Sequence, residues 1–241
     1  MMRKKISKRL SACLDALSSL SRIADIGTDH AYLPCYGITN GIIDSAIAID
    51  VIDGPLMQAQ RTVDDYGLRD KIELRKGSGL EPLRIGEVEG VVIAGMGGKL
   101  ISQLLEESRD VAESLKLLVL QPQSGERILR WTLWNLGFEI IAEKLLEEDG
   151  IIYTIITARP ISREYSSSAV GAYWALELTF GPLLLKNTKD ELFIKKWTQE
   201  ITKINRILKN IPEENERRAE FVQKKQIIKD VLADATSKRC N

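Results

Sequence analysis

The chain has 241 residues, equal numbers of basic and acidic side chains (34 each) and a 44% hydrophobic composition, enough to bury a core without disulfide or metal staples. With 28% charged residues, 17 Gly and 7 Pro it lies in the ordinary globular range, which excludes wholesale disorder and collagen-like repeats. No apolar run nears the roughly 18 residues that a membrane span needs.

The three cysteines, Cys13, Cys35 and Cys240, are far apart and lack Cys-x-x-Cys or Cys/His spacing, a pattern that predicts a reduced, cytoplasmic compartment and no metal site. The first ten residues carry five positive charges, but the amphipathic stretch that follows contains Asp15 and is not the apolar core of a signal peptide. Zero net charge hides a split, because residues 161–241 hold 15 Lys/Arg against 11 Asp/Glu. That asymmetry suits nucleic acid on one face, and it suits an ordinary solvated surface equally well.

From Ser21 to about Pro160, short apolar runs alternate with helical patterns: Arg22 to Ile26, Ala46 to Asp50, Lys71 to Arg75, Val91 to Ala94 and Leu117 to Leu120. Most are continuous and β-branched, as strands buried on both faces of a parallel sheet should be. The predicted class is therefore α/β and doubly wound. After these runs, Phe138 to Ala142 and Lys144 to Leu146 meet Asp149-Gly150, and Ile151 to Ile156 follows. Asp-Gly between two apolar runs predicts an antiparallel hairpin, which is less typical of a dinucleotide-binding sheet than of a methyltransferase sheet.

Past Pro160 the composition changes. Ile194, Trp197, Ile201, Ile204, Leu208 and Ile211 recur at alternating spacings of 3 and 4 up to Pro212, and Phe221, Ile228 and Val231 continue the pattern beyond it. Two helices of about 30 Å broken at Pro212 are expected, either as a coiled-coil-like hairpin or as two amphipathic helices on the main domain.

The first strand ends in Asp25-Ile26-Gly27-Thr28-Asp29-His30-Ala31-Tyr32-Leu33-Pro34. A carboxylate, a Gly turn and a helix start make a nucleotide-type site. Gly-x-Gly-x-x-Gly fails, because Asp29 and Tyr32 hold the second and third positions, so a pyrophosphate would meet negative charge. A ligand with an amine and a sulfonium tolerates those carboxylates, which favours S-adenosylmethionine over NAD. Asp50, 25 residues after Asp25, ends the second strand where a ribose would be bound. Both aspartates also suit simple capping of a neighbouring loop.

The third strand leads to Gly77-Ser78-Gly79-Leu80, a turn open to a flat base, and the fourth to Ala94-Gly95-Met96-Gly97-Gly98, either a tight turn or the meeting place of donor and acceptor. His30 is the only histidine, which excludes His-pair and Ser/His/Asp mechanisms; beside a helix start it also reads as a cap or packing residue. Gln121-Pro122-Gln123-Ser124 offers amides to a base edge or, more simply, Ser124 as cap of the next helix, on which Trp131 and Trp134 read as core contacts.

Together these strings resemble the bacterial tRNA (adenine-22 N1)-methyltransferase family, TrmK, over nearly the whole chain, with Asp29-His30-Ala31-Tyr32-Leu33-Pro34 and Ala94-Gly95-Met96-Gly97-Gly98 the most specific. The resemblance implies a Rossmann-like class I methyltransferase domain over residues 1–160, a C-terminal helical hairpin over 161–241, S-adenosyl-L-methionine as donor and tRNA as partner. It implies a donor site at Asp25, Gly27, Asp29, His30, Asp50, Gly77, Ser78, Gly79, Leu80, Ala94, Gly95 and Met96. The sequence departs from the expected pattern at Gln60-Arg61-Thr62 and at Ser78. Asp29, to stabilise positive charge, and His30, to position the base or take a proton, are the catalytic candidates. A NAD-type oxidoreductase and an RNA-binding scaffold with a degenerate pocket are the competing readings.

Overall fold

The computed structural model describes residues 6–161 and 172–237, so Arg3, Lys4, Lys5 and Cys240 lie outside the described residues. The chain divides into two compact units, Met1–Pro182 and Leu183–Asn241.

In the first unit, helix α1 (Lys8–Asp15) starts at Ser7, whose hydroxyl accepts the Leu10 N–H. Strand β1 (Arg22–Ile26) follows, then α2 (Tyr32–Thr39), β2 (Ser45–Asp50), α3 (Asp53–Tyr66), β3 (Ile72–Lys76), β4 (Gly90–Met96), α4 (Gly98–Glu107), α5 (Arg109–Glu113), β5 (Leu117–Pro122), α6 (Glu126–Asn135), β6 (Phe138–Glu148), β7 (Ile151–Pro160) and α7 (Ala172–Phe180). Among the described residues the strands form one sheet in the order β3-β2-β1-β4-β5-β7-β6. The first five are parallel, and β7 enters antiparallel beside β5, turned back from β6 at Asp149-Gly150.

Strand pleat sends alternate side chains to opposite faces. Ile26, Ile47, Ile49, Val91, Ile93, Leu118 and Leu120 pack with Ile101, Leu105, Leu129 and Leu133 on one side. Ile23, Ala46, Ala48, Val92 and Val119 pack with Leu14, Leu17, Leu33, Cys35 and Val63 on the other. Burial on both faces explains why the strands read as continuous apolar runs.

The first unit runs past the composition change at Pro160 because α7 is fastened to it. Arg130 on α6 donates to the Leu178 and Thr179 carbonyls and pairs with Glu143 at 2.8 Å, both side chains being sequestered from solvent. A buried pair of this kind is costly to break, since either partner alone would be an uncompensated charge. Trp134 and Trp131 are not core residues: the buried face of α6 is Leu129 and Leu133, Trp134 meets Trp174 edge-on at 5.1 Å, and Trp131 is 43% exposed.

The second unit holds α8 (Glu191–Asn210), capped by the Asp190 carboxylate, and α9 (Glu216–Ser237). Lys224 on α9 reaches Glu200 on α8 at 2.6 Å, and Arg218 donates to the carbonyls of Leu208 and Ile211, so the two helices form a hairpin about Pro212. Among its described residues, Phe193, Trp197, Ile204 and Ile228 are the buried apolar ones. Among the described residues no helix is long and apolar enough to cross a membrane.

Candidate functional site

In a parallel sheet, ligands sit beyond the carboxyl ends of the strands where the order reverses, here between β1 and β4. The ends of β1, β2 and β3 are drawn together there by backbone bonds. The Gly27 and Thr28 N–H groups donate to the Ile49 carbonyl at 2.8 and 3.0 Å, and Gly77 N–H donates to the Asp50 carbonyl at 3.1 Å. Asp25, Gly27, Asp50 and the turn Gly77 to Leu80 are thus brought together.

Asp25 is 7% exposed, and its Oδ2 accepts the Thr28 hydroxyl at 2.7 Å. Burial pushes its carboxyl up to about 6, against the pull of the Thr28 bond, with the negative charges of Asp50 and Asp29 adding to the rise. Among the described residues no Lys or Arg pairs with Asp25. Asp50 is partly exposed, and one of its oxygens accepts the Ile52 N–H at 2.9 Å. Val51 and Ile52 follow it with their side chains more than half exposed, an apolar surface beside the carboxylate that the sequence reading passed over.

Gly27 has φ +70, and a Cβ there would lie 2.2 Å from Met96 Cε. The left-handed backbone is what favours glycine here, since the flexible end of Met96 could give way to a side chain. Ser78 is exposed, Gly79 is held against Leu104 of α4, and Leu80 has no exposed surface, its side chain serving the core.

His30 and Ala31 both take positive φ, 65 and 54. Non-glycine residues enter that region at a cost, which clusters at functional loops. His30 Nε2 lies 3.0 Å from Asp29 Oδ1, its Nδ1 is buried with no hydrogen-bond partner, and its ring meets Tyr32 at 5.5 Å. Ala31 is the N-cap of α2 and no side chain caps that helix, so His30 is not a capping residue. Ser124 is not one either: Gly125 holds the N-cap of α6, and the Ser124 carbonyl accepts the Gly98 N–H.

At the ends of β4 and β5 the register slips between Ala94 and Met96, leaving Gly95 exposed at a bulge with φ +81. The fully buried Gln121 fixes this bulge. Its Oε1 accepts the Gly95 N–H at 3.1 Å and Arg9 Nη1 at 2.5 Å. Arg9, from α1, also lies 5.4 Å from the centre of the Tyr153 ring. Gln123 is exposed beside Gly95 and keeps its amide available. The sequence showed Arg9 only as one charge in a basic cluster, because its partner is 112 residues away.

Burial pushes the thiols of Cys13 and Cys35 up to about 12, so neither is a nucleophile at neutral pH. Among the described residues no group of three His, Cys, Asp or Glu side chains is placed to hold a metal ion.

Comparison with known proteins gives the family. Residues 23–232 match the profile of the tRNA (adenine(22)-N(1))-methyltransferase family, TrmK. The tRNA (adenine(22)-N(1))-methyltransferase of Bacillus subtilis is 37% identical over 230 residues, covering 95% of this chain and 93% of the relative. The crystal structure of the B. subtilis TrmK superposes with a TM-score of 0.83 at 34% identity, over 95% of this chain and 99% of that one. A Streptococcus pneumoniae chain solved with S-adenosyl-L-methionine gives 0.83 at 37% identity, over 95% of this chain and 100% of that one. M. capricolum TrmK with S-adenosyl-homocysteine gives 0.83 at 27%, over 96% and 99%. An oxidoreductase reading has no support among these relatives. With its sheet order, its switch-point loops and this match over most of its length, the chain belongs to the tRNA (adenine(22)-N(1))-methyltransferase family.

Proposed function

We propose that the protein is a cytoplasmic enzyme that transfers a methyl group from S-adenosylmethionine to N1 of an adenine in tRNA, at position 22 by family. The observation that carries the reading is the buried Asp25 beside Asp50 at the switch point, with the single left-handed glycine turn at Gly27 in place of a pyrophosphate fingerprint. The residues fit the donor, and we assign Asp25 to its amine, Asp50 to its ribose hydroxyls, and Ile52 with Gly77, Ser78 and Gly79 to its adenine. When bound, the donor supplies an electrophilic methyl group on a sulfonium.

Adenine N1 bears a lone pair and no proton, so the protein need not deprotonate it before attack. What remains is positioning and the accommodation of positive charge on the base. Ala94, the Gly95 bulge and Met96 leave room for a planar base, and Gln123 offers an amide to its edge. Asp29, largely exposed, faces the same side as His30, and the pair is assigned to stabilising the cationic base and receiving the N6 proton afterwards. Gly97 and Gly98 lie behind the bulge, where Gly98 is in contact with the Gly125 backbone.

Calorimetry with S-adenosylmethionine and with NADH tests the donor assignment. The first should bind and the second should not, and Asp50→Ala should weaken donor binding by about 1–3 kcal/mol, the cost of leaving a hydrogen-bonding group without its partner. Unchanged affinity in the folded variant would remove Asp50 from the site.

A further inference from the structure

Arg9 is held in an unusual way for a half-buried cation. Its guanidinium is oriented by a neutral amide oxygen, Gln121 Oε1 at 2.5 Å, and lies near an aromatic ring, Tyr153 at 5.4 Å. Among the described residues no carboxylate pairs with it. Both neighbours direct the group without neutralising it. Its Nη1 is 3.5 Å from the point where a Cβ on Gly95 would sit, so the charge is presented at the bulge on the acceptor side of the site.

A fixed positive charge at that place is badly matched to the base itself, which becomes cationic on methylation. It is well matched to an anion travelling with the base. Adenine N1 lies on the pairing edge, so the nucleotide must leave its stack to react, and its flanking phosphate then approaches the protein surface next to the pocket. Guanidinium binds phosphate oxygens with paired, charge-assisted N–H donors. We propose that Arg9 grips the backbone phosphate adjoining the target adenosine and so holds the extruded nucleotide in place; this rests on the reading of the site as one that methylates tRNA.

The test uses the full chain, Arg9→Gln and Arg9→Lys, with four readouts: tRNA methylation kinetics, tRNA binding across a salt series, donor calorimetry and thermal midpoint. Arg9→Gln should raise KM for tRNA about tenfold or more. It should also reduce the slope of log affinity against log salt by about 0.7–0.9, the signature of one lost phosphate contact, while donor affinity stays within about twofold. Arg9→Lys should recover the slope without recovering the full KM. If Arg9→Gln leaves the salt slope at the parent value, whether or not the midpoint or donor affinity falls, Arg9 only fastens α1 to β5 and the proposal is overturned. Should the parent protein itself transfer no methyl group to tRNA, the functional reading fails and this proposal with it; an active parent with an unchanged Arg9→Gln defeats the proposal alone.

Discussion

At the scale of single residues, Asp25 couples stability to function. In the unfolded chain its carboxyl titrates near 3.8, and in the fold at about 6. Because the folded state holds the proton more tightly, stability falls as pH climbs through that window, by up to about 3 kcal/mol, and the penalty persists at neutral pH. Asp25→Asn keeps an acceptor for the Thr28 hydroxyl and removes the charge. It is therefore expected to raise the thermal midpoint at neutral pH, by less and less as the pH falls toward 3.8, and to weaken donor binding by about tenfold or more. Donor affinity of the parent should rise with pH up to about 6 and then level, since an ammonium group favours the ionised carboxyl; calorimetry across that range checks the sign. Asp25 and Asp50 were legible as strand-end carboxylates. The charge state of Asp25 was not, because it depends on burial.

At the scale of elements, the hairpin of α8 and α9 shows what periodicity can and cannot give. Spacings of 3 and 4 located both helices and the break at Pro212. The buried line on α8 keeps Trp197 and Ile204 of that seam, with Ile194, Ile201 and Leu208 half-buried beside them, and adds Phe193, whose ring packs on Trp197 at 6.2 Å. Lys203 and Arg206 stay on the solvent side, with Lys203 4.0 Å from Glu200. Lys195, Lys196 and Lys209 share the helix, and we propose that this helix contacts tRNA phosphates. Reversing charge at Lys203 and Arg206 leaves the buried line intact, so the double variant should bind tRNA more weakly and lower the salt slope by about 0.7–0.9 per lost contact, with donor affinity unchanged. A parent-like slope would make the helix a structural element and leave Arg9 as the leading RNA contact.

At the scale of the whole molecule, the parallel strands and the antiparallel ending were readable because each local signal agreed with the global arrangement: continuous apolar runs for strands buried on both faces, and Asp149-Gly150 for the turn into β7. What could not be read was which distant residues meet. Arg9 reaches Gln121 across most of the sheet domain, Met96 closes over Gly27, and Arg130 ties Glu143 to the end of α7. These pairings depend on the strand order, which no short window of sequence contains. The central claim, that this switch-point site methylates an adenine of tRNA, is tested most directly by mass spectrometry of nucleosides from tRNA incubated with the protein and S-adenosylmethionine. 1-Methyladenosine should form, and should form more slowly with Asp50→Ala at low donor concentration. Methyl transfer confined to a small molecule or a protein, or tRNA that remains unmodified, would contradict it.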